Sequence, residues 1–278
     1  MRGHYARLWH MGVWVDFLDA QQVLAGQLNG YNAAILPVPL ALDAGYFSHL
    51  ADYVRDGGML ISDACPGRFD RFGFSPRAQM VHGGEAVFGV CHERVRIVRE
   101  PADGSAYWTP HERVWGDFLP ASILDGAGLC ARARLRASFF VQTLKLTTAE
   151  TILSLGGETV GSFNTLGNGS AVLLGTFAGH GFGAHPLDEP ENLFNRLLAH
   201  AGVQGEVYGQ LLRRRRVLGK QEAWFFINIG PGIAVERIPL SGRSLVADLL
   251  EDTVVDSDGS TVSVQVGPYS VDCLVLTS

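Results

Sequence analysis

The chain has 278 residues, 47% hydrophobic and 18% charged, enough to bury a core in one large or two ordinary domains and too apolar to be disordered. With 22 basic and 28 acidic residues its net charge is -6, which argues against nucleic acid or an anionic membrane as the main partner. No apolar run is long enough for a membrane span, the N-terminus lacks signal-peptide order, and Cys65, Cys91, Cys130 and Cys273 are scattered without a CxxC, so they read as reduced thiols of a cytoplasmic protein.

In chain order, HYARLWHMG (4–12) reads as the end of a helix, with Tyr5, Leu8 and Trp9 at helical spacing and Gly12 as C-cap. VWVDFLD (13–19) follows as a predicted strand, and YNAAILP (31–37) as a second. Asp43 is the expected N-cap of a helix that sets Phe47, Leu50, Ala51 and Val54 on one face, and Gly57-Gly58 stop it before the strand MLISDA (59–64). SAVLLGTFAG (170–179) reads as a further buried strand and EPENLFNRLLAHAGV (189–203) as a helix with Leu193, Leu197, Leu198 and Ala201 on one side. Apolar strands alternating with amphipathic helices predict an open parallel α/β sheet covered on both faces. Such a sheet normally begins with a strand, whereas this chain begins inside a helix. The first strand is therefore expected to be lost or supplied by sequence upstream.

Residues 68–169 have a different texture. Strand-like pieces (RVRIV, ASFFVQTLKL, ETILSL, ETVGSFN) are separated by turn residues, as in a β-rich insertion before the last core strand. From about 205 the pattern changes again. LLRRRRV and EAWFFINIG form a predicted hairpin, and the short strands after it predict a small antiparallel β-sandwich. The expected domains are 1–203 and 204–278.

Several segments together resemble the C-terminal part of the glycoside hydrolase family 42 β-galactosidases. GYNAAILPVPLALDAGYFSHLADYVRDGGMLISD resembles the start of that family's trimerisation domain. AETILSLGGETVGSFNTLGNGSAVLLGTFAG resembles its later Gly-x-Gly turn entering a strand that ends in LGT. WFFINIGP, SLVADLLEDTVV and VGPYSVDCLVLTS resemble its terminal β-sandwich. The resemblance implies a flavodoxin-like, glutamine-amidotransferase-like fold, a homo-oligomer (a trimer), and an upstream (β/α) barrel that carries the two catalytic glutamates. None of those glutamates maps onto this sequence. The chain is therefore expected to be a scaffold without catalytic residues, cofactor or metal.

An enzymatic alternative rests on Asp63-Ala64-Cys65-Pro66-Gly67 after MLIS, where class I amidotransferases carry G-x-C-x-G at a sharp turn. His180 or His185 would be the base, oriented by Glu189 or Glu191. Against it, the Asp63 charge disfavours a thiolate and Pro66 removes an oxyanion donor. His180, His185, Asp188 and Glu189 match no zinc spacing, and their segment reads as a Gly-rich loop. GETVGSFNTLGNGS reads as a turn between strands rather than a nucleotide loop. FDRFGFSPRAQMVHGG (69–84) reads as a surface loop able to meet a neighbouring subunit or barrel. Arg213–Arg216 alternate along a strand and read as solvated or salt-bridged. Tyr107, Trp108, Trp115, Phe139 and Phe140 read first as core and next as an interface. A carbohydrate-binding module on the sandwich is the third reading, weakened because Trp224 sits in an apolar strand.

Overall fold

The computed structural model describes residues 1–42, 44–70, 72–75, 83–98, 118–119, 122–184, 192–250 and 254–277. The chain divides into two compact units, Met1–Arg7 with Asp16–Val203 and Leu8–Val15 with Gln204–Ser278.

The first helix, α1 (Arg2–His10), stops where Gly12 takes φ +72. The Gly12 N–H then bonds Trp9 O at 3.0 Å and the Val13 N–H bonds Leu8 O at 2.9 Å, a paired closure of the last turn. Among the described residues VWVDFLD, expected as a strand, pairs with no sheet. Its alternating side chains find separate partners instead of one sheet face. Trp14 lies 5.4 Å from the Arg216 guanidinium, Phe17 meets Tyr5 at 5.6 Å, and Asp16 accepts from the Tyr31 hydroxyl at 3.1 Å. Asp19 then caps α2 (Ala20–Leu24) by a reciprocal pair of bonds with Gln22.

The core of the first unit is built on β1 (Ala33–Leu36) and β2 (Met59–Ser62), parallel in register Ala33↔Met59. Between them α3 (Ala44–Arg55) buries Phe47, Leu50, Ala51 and Val54, as its spacing predicts. The expected cap, Asp43, lies outside the described residues.

After α4 (Gly84–Phe88) come β3 (Val90–Val98), β4 (Phe118–Leu119), β5 (Ile123–Gly126), β6 (Arg134–Arg136), β7 (Phe140–Leu146), β8 (Glu150–Leu155), β9 (Glu158–Leu166) and β10 (Gly169–Leu173). Among the described residues the main sheet runs β1-β2-β10-β9-β8-β5-β6. Only β1, β2 and β10 are parallel; the rest pair antiparallel. The expected open parallel sheet is therefore a mixed one, and β5, β6, β8 and β9 extend it. The cause is local. Two-residue turns at Gly156-Gly157 and Gly167-Asn168 join β8 to β9 and β9 to β10, and links that short can only make antiparallel neighbours. A second sheet, β4-β3-β7, lies within the same unit.

Two helices follow, α5 (Ala178–Ala184) and α6 (Asn192–His200); α6 buries Leu193, Phe194, Leu197 and Leu198. The Gly-rich segment expected as a loop is thus helical over its described part.

The second unit contains β11 (Val207–Tyr208), β12 (Leu211–Leu218), β13 (Gln221–Asn228), β14 (Ala234–Pro239), β15 (Ser244–Asp248), β16 (Val254–Ser257), β17 (Thr261–Val266) and β18 (Val271–Thr277). They form two antiparallel sheets, β11-β12-β13-β18-β15 and β14-β17-β16. The sheets share one core, with Trp224, Phe226, Ile238, Val264 and Leu274 fully buried.

The four arginines of β12 divide by strand alternation. Arg213 makes a two-pronged bond to Glu206 (2.9 and 3.1 Å) and lies 4.1 Å over Trp224, while Arg215 is 3.7 Å from Glu222. Arg214 lies 4.1 Å over Trp9 and donates to its carbonyl at 3.1 Å, and Arg216 takes Trp14. The segment Leu8–Val15 is thereby strapped along this strand. Gly12 makes the approach possible: its carbonyl accepts the Glu206 N–H at 3.0 Å, and a Cβ there would come within 2.6 Å of the Glu206 backbone. Among the described residues no helix is long and apolar enough to cross a membrane.

Candidate functional site

A group of buried polar side chains in the first unit gathers just beyond β2. A fully buried strand delivers Asp63 into the interior with no solvent exposure. A carboxylate so placed must find donors, and it finds three. Oδ1 is 3.0 Å from His4 Nε2 and accepts the Ala178 N–H at 3.1 Å, and Oδ2 accepts the Val38 N–H at 3.2 Å. Asp63 thus ties together α1, the segment after β1 and the first turn of α5. His4 sits between the rings of Phe182 and Phe194, each 5.7 Å away. Gly179 of α5 has a packing reason: a Cβ there would fall 2.3 Å from the His4 ring.

Cys65 takes φ +60, the left-handed conformation of a nucleophile elbow. Its surroundings oppose that role. The Cys65 N–H donates to Gln142 Oε1 at 2.7 Å, so this amide is already committed to a side chain. The thiol is 5% exposed and packs with Ala64, Phe177, Phe139 and Phe140. Burial pushes it up to about 12, with Arg68 pulling the other way. A working nucleophile needs the opposite shift.

His180 stands on α5 with Nδ1 2.6 Å from Ser138 Oγ and its ring edge-on to Phe139 at 4.3 Å. The Ser138 backbone is in turn clamped by Thr176 Oγ1, which accepts its N–H at 2.8 Å and donates to its carbonyl at 3.1 Å. His185, Glu189 and Glu191 lie outside the described residues, as do Tyr107, Trp108 and Trp115. Phe139 and Phe140 join Phe177 in the core. Trp224 is 1% exposed and donates to Glu222 at 2.8 Å, so it presents no sugar-stacking face. Among the described residues, no three His, Cys, Asp or Glu side chains gather to hold a metal ion.

His4, Gln142, Ser138 and Thr176 escaped the sequence reading. One signal was available: Asp63 directly after MLIS, and Gln142 inside an apolar strand, each demand a buried partner.

The model of the β-galactosidase trimerisation domain matches residues 1–204. The chain belongs to that family. No curated protein sequence matches it. In structure this trimerisation domain resembles the β-galactosidase of Bacillus circulans sp. alkalophilus, with TM-score 0.73 and 16% identity over 99% of this chain and 37% of that one. It also resembles the polyextremophilic β-galactosidase of the Antarctic haloarchaeon Halorubrum lacusprofundi (TM-score 0.64, 17% identity, 97% of this chain and 34% of that one). A third resemblance is to α-L-fucosidase isoenzyme 2 of Paenibacillus thiaminolyticus (TM-score 0.56, 12% identity, 99% and 44%). At these identities the likeness is one of fold. The chain spans between 34% and 44% of the length of these enzymes. In the trimerisation domain, then, the polar cluster around Asp63 fastens elements to one another, and neither the cysteine-hydrolase nor the sugar-binding alternative gains support.

Proposed function

We propose that this chain is the non-catalytic, trimer-forming part of a family 42-type β-galactosidase, with galactoside cleavage carried by a (β/α) barrel outside these residues. The observation that carries the reading is the pairing of a family match over residues 1–204 with a fold match that takes up 99% of this chain and 37% of a β-galactosidase. The division of labour is an assembly domain over 1–203, with its β-rich segment at about 68–169, and a β-sandwich over 204–278. Two antiparallel sheets around one core support the sandwich. Parallel β1, β2 and β10, with the left-handed Cys65 after β2, support kinship with the flavodoxin-like, amidotransferase-like folds. Four free cysteines support a reducing, cytoplasmic setting.

Sedimentation equilibrium of the purified chain tests the assembly and a chromogenic β-galactoside tests the chemistry. The reading expects three-chain mass and no turnover. A monomer at every concentration, or turnover by the pure chain, would defeat it.

A further inference from the structure

β1 ends the main sheet. Among the described residues it has β2 on one side and no strand on the other. Asn32 O accepts the Met59 N–H at 2.9 Å and Leu36 O accepts the Asp63 N–H at 3.1 Å. In this parallel register Ala34 and Leu36 turn their peptide groups to β2, and Ala33 and Ile35 turn theirs outward. Natural edges are usually guarded by a charge, a proline or a bulge. Ala-Ala-Ile-Leu carries none of these. Its residues are half-buried, whereas those of β2 are fully buried. The edge is apolar, unguarded and able to take another strand.

The placement of α1 identifies that strand. His4, in its first turn, meets Asp63 just beyond β2, and Asp63 also holds the amides of Val38 after β1 and Ala178 after β10. The start of α1 therefore lies at the C-terminal ends of the three parallel strands. Asp16, after α1, accepts from Tyr31, just before β1, so by then the chain has returned to the N-terminal end of β1. The nine residues of α1 span about 13 Å and the four of β1 about the same, so one helix covers the distance. This is the path of a helix that follows a parallel strand. A strand laid parallel on β1 would end beside the first turn of α1.

We propose that the outer edge of β1 is filled by a parallel strand formed by the residues that lead into Met1 in a longer polypeptide. The proposal rests on the reading that this chain is one part of a larger enzyme, and it adds how the upstream polypeptide is joined: through a main-chain ladder instead of a loose tether. Ala33 and Ile35 supply the N–H and C=O groups of that ladder. Pro37, next in the outward row, has no N–H to give, so the ladder stops there.

The test uses the full chain, alone and extended before Met1 by the probe Val-Thr-Val-Ile-Val-Gly-Asp, with hydrogen exchange resolved to single amides. In the unextended chain Ala33 and Ile35 should exchange faster than Ala34 and Leu36. The extension should slow Ala33 and Ile35 at least about 10-fold, and the same extension with proline at each valine should not. Equal rates with and without the probe would overturn the proposal. So would an unextended chain in which Ala33 and Ile35 are already as slow as Ala34 and Leu36, whether covered by a second copy or by another part of the chain. Trimer mass is a separate readout: a trimer without the added protection refutes only the strand, and a monomer that gains the protection refutes only the trimer.

Discussion

Asp63 carries three donors on two oxygens, and two of them, on His4 and Ala178, are buried away from water. Replacing it with alanine would strand the buried His4 ring and the first amide of α5 and release the Val38 amide. Each stranded buried group costs roughly 1–3 kcal/mol, so Asp63→Ala should lower the stability of the first unit by about 3 kcal/mol or more in urea unfolding. Asn at the same position keeps an acceptor and should cost less. A change within about 0.5 kcal/mol for the alanine variant, the range of ordinary surface substitutions, would mean that the carboxylate is not the tie described here. The neighbouring Cys65 illustrates how a strained backbone can mislead at this scale. Its φ of +60 copies an elbow, yet Gln142 takes its amide and Phe139, Phe140 and Phe177 crowd its thiol. Elbow geometry is a property of five residues in sequence. Reactivity depends on groups brought from elsewhere in the chain.

At the level of elements, β12 carries an arginine run in which Arg213 and Arg215 meet carboxylates while Arg214 and Arg216 meet the indoles of Leu8–Val15. The half-buried Arg214–Trp9 pair, at 4.1 Å and with a hydrogen bond to the Trp9 carbonyl, should be the stronger of the two indole contacts made to Leu8–Val15. A double-mutant cycle of Trp9→Ala and Arg214→Ala should return a coupling of about 1–2 kcal/mol, and the more exposed Trp14–Arg216 pair about 0.5 kcal/mol or less. Equal couplings, or none, would show that the strap is held by its backbone contacts alone.

The same elements indicate what periodicity can convey. α3 and α6 were legible because each hides one face, and the β8–β9 and β9–β10 turns because glycines mark them. VWVDFLD alternates as a strand does, but alternation records which side chains are apolar and not whether a ladder is available to pair with. α5 was hidden by its glycines, which read as loop until the His4 ring that Gly179 accommodates is in view. The outer part of the antiparallel extension rests on the pairing of β5 with β8, a contact between distant segments on which local pattern is silent. Of the candidate site, Cys65 and His180 were legible as residue types; their partners Gln142 and Ser138 were not, because an isolated Gln or Ser in a strand carries no marker of what it faces.

For the whole molecule, the path of the chain matters more than any single contact. It passes from one compact unit to the other at 7/8, at 15/16 and again at 203/204. A protease site inserted between Val203 and Gln204 should therefore nick the chain without freeing the C-terminal piece. Residues 204–278 should co-elute with 1–203 in native size exclusion and separate only in denaturant. Separate elution under native conditions would show that Leu8–Val15 does not grip β12. The Leu8–Val15 segment has a further implication for how such proteins are recombined. A gene fusion that swaps everything after residue 203 would transplant an incomplete module, leaving Arg214 and Arg216 without their indoles and Glu206 without its carbonyl partner. Exchange of this β module between proteins must carry an octapeptide encoded almost two hundred codons earlier, so the two stretches are expected to be inherited as a pair.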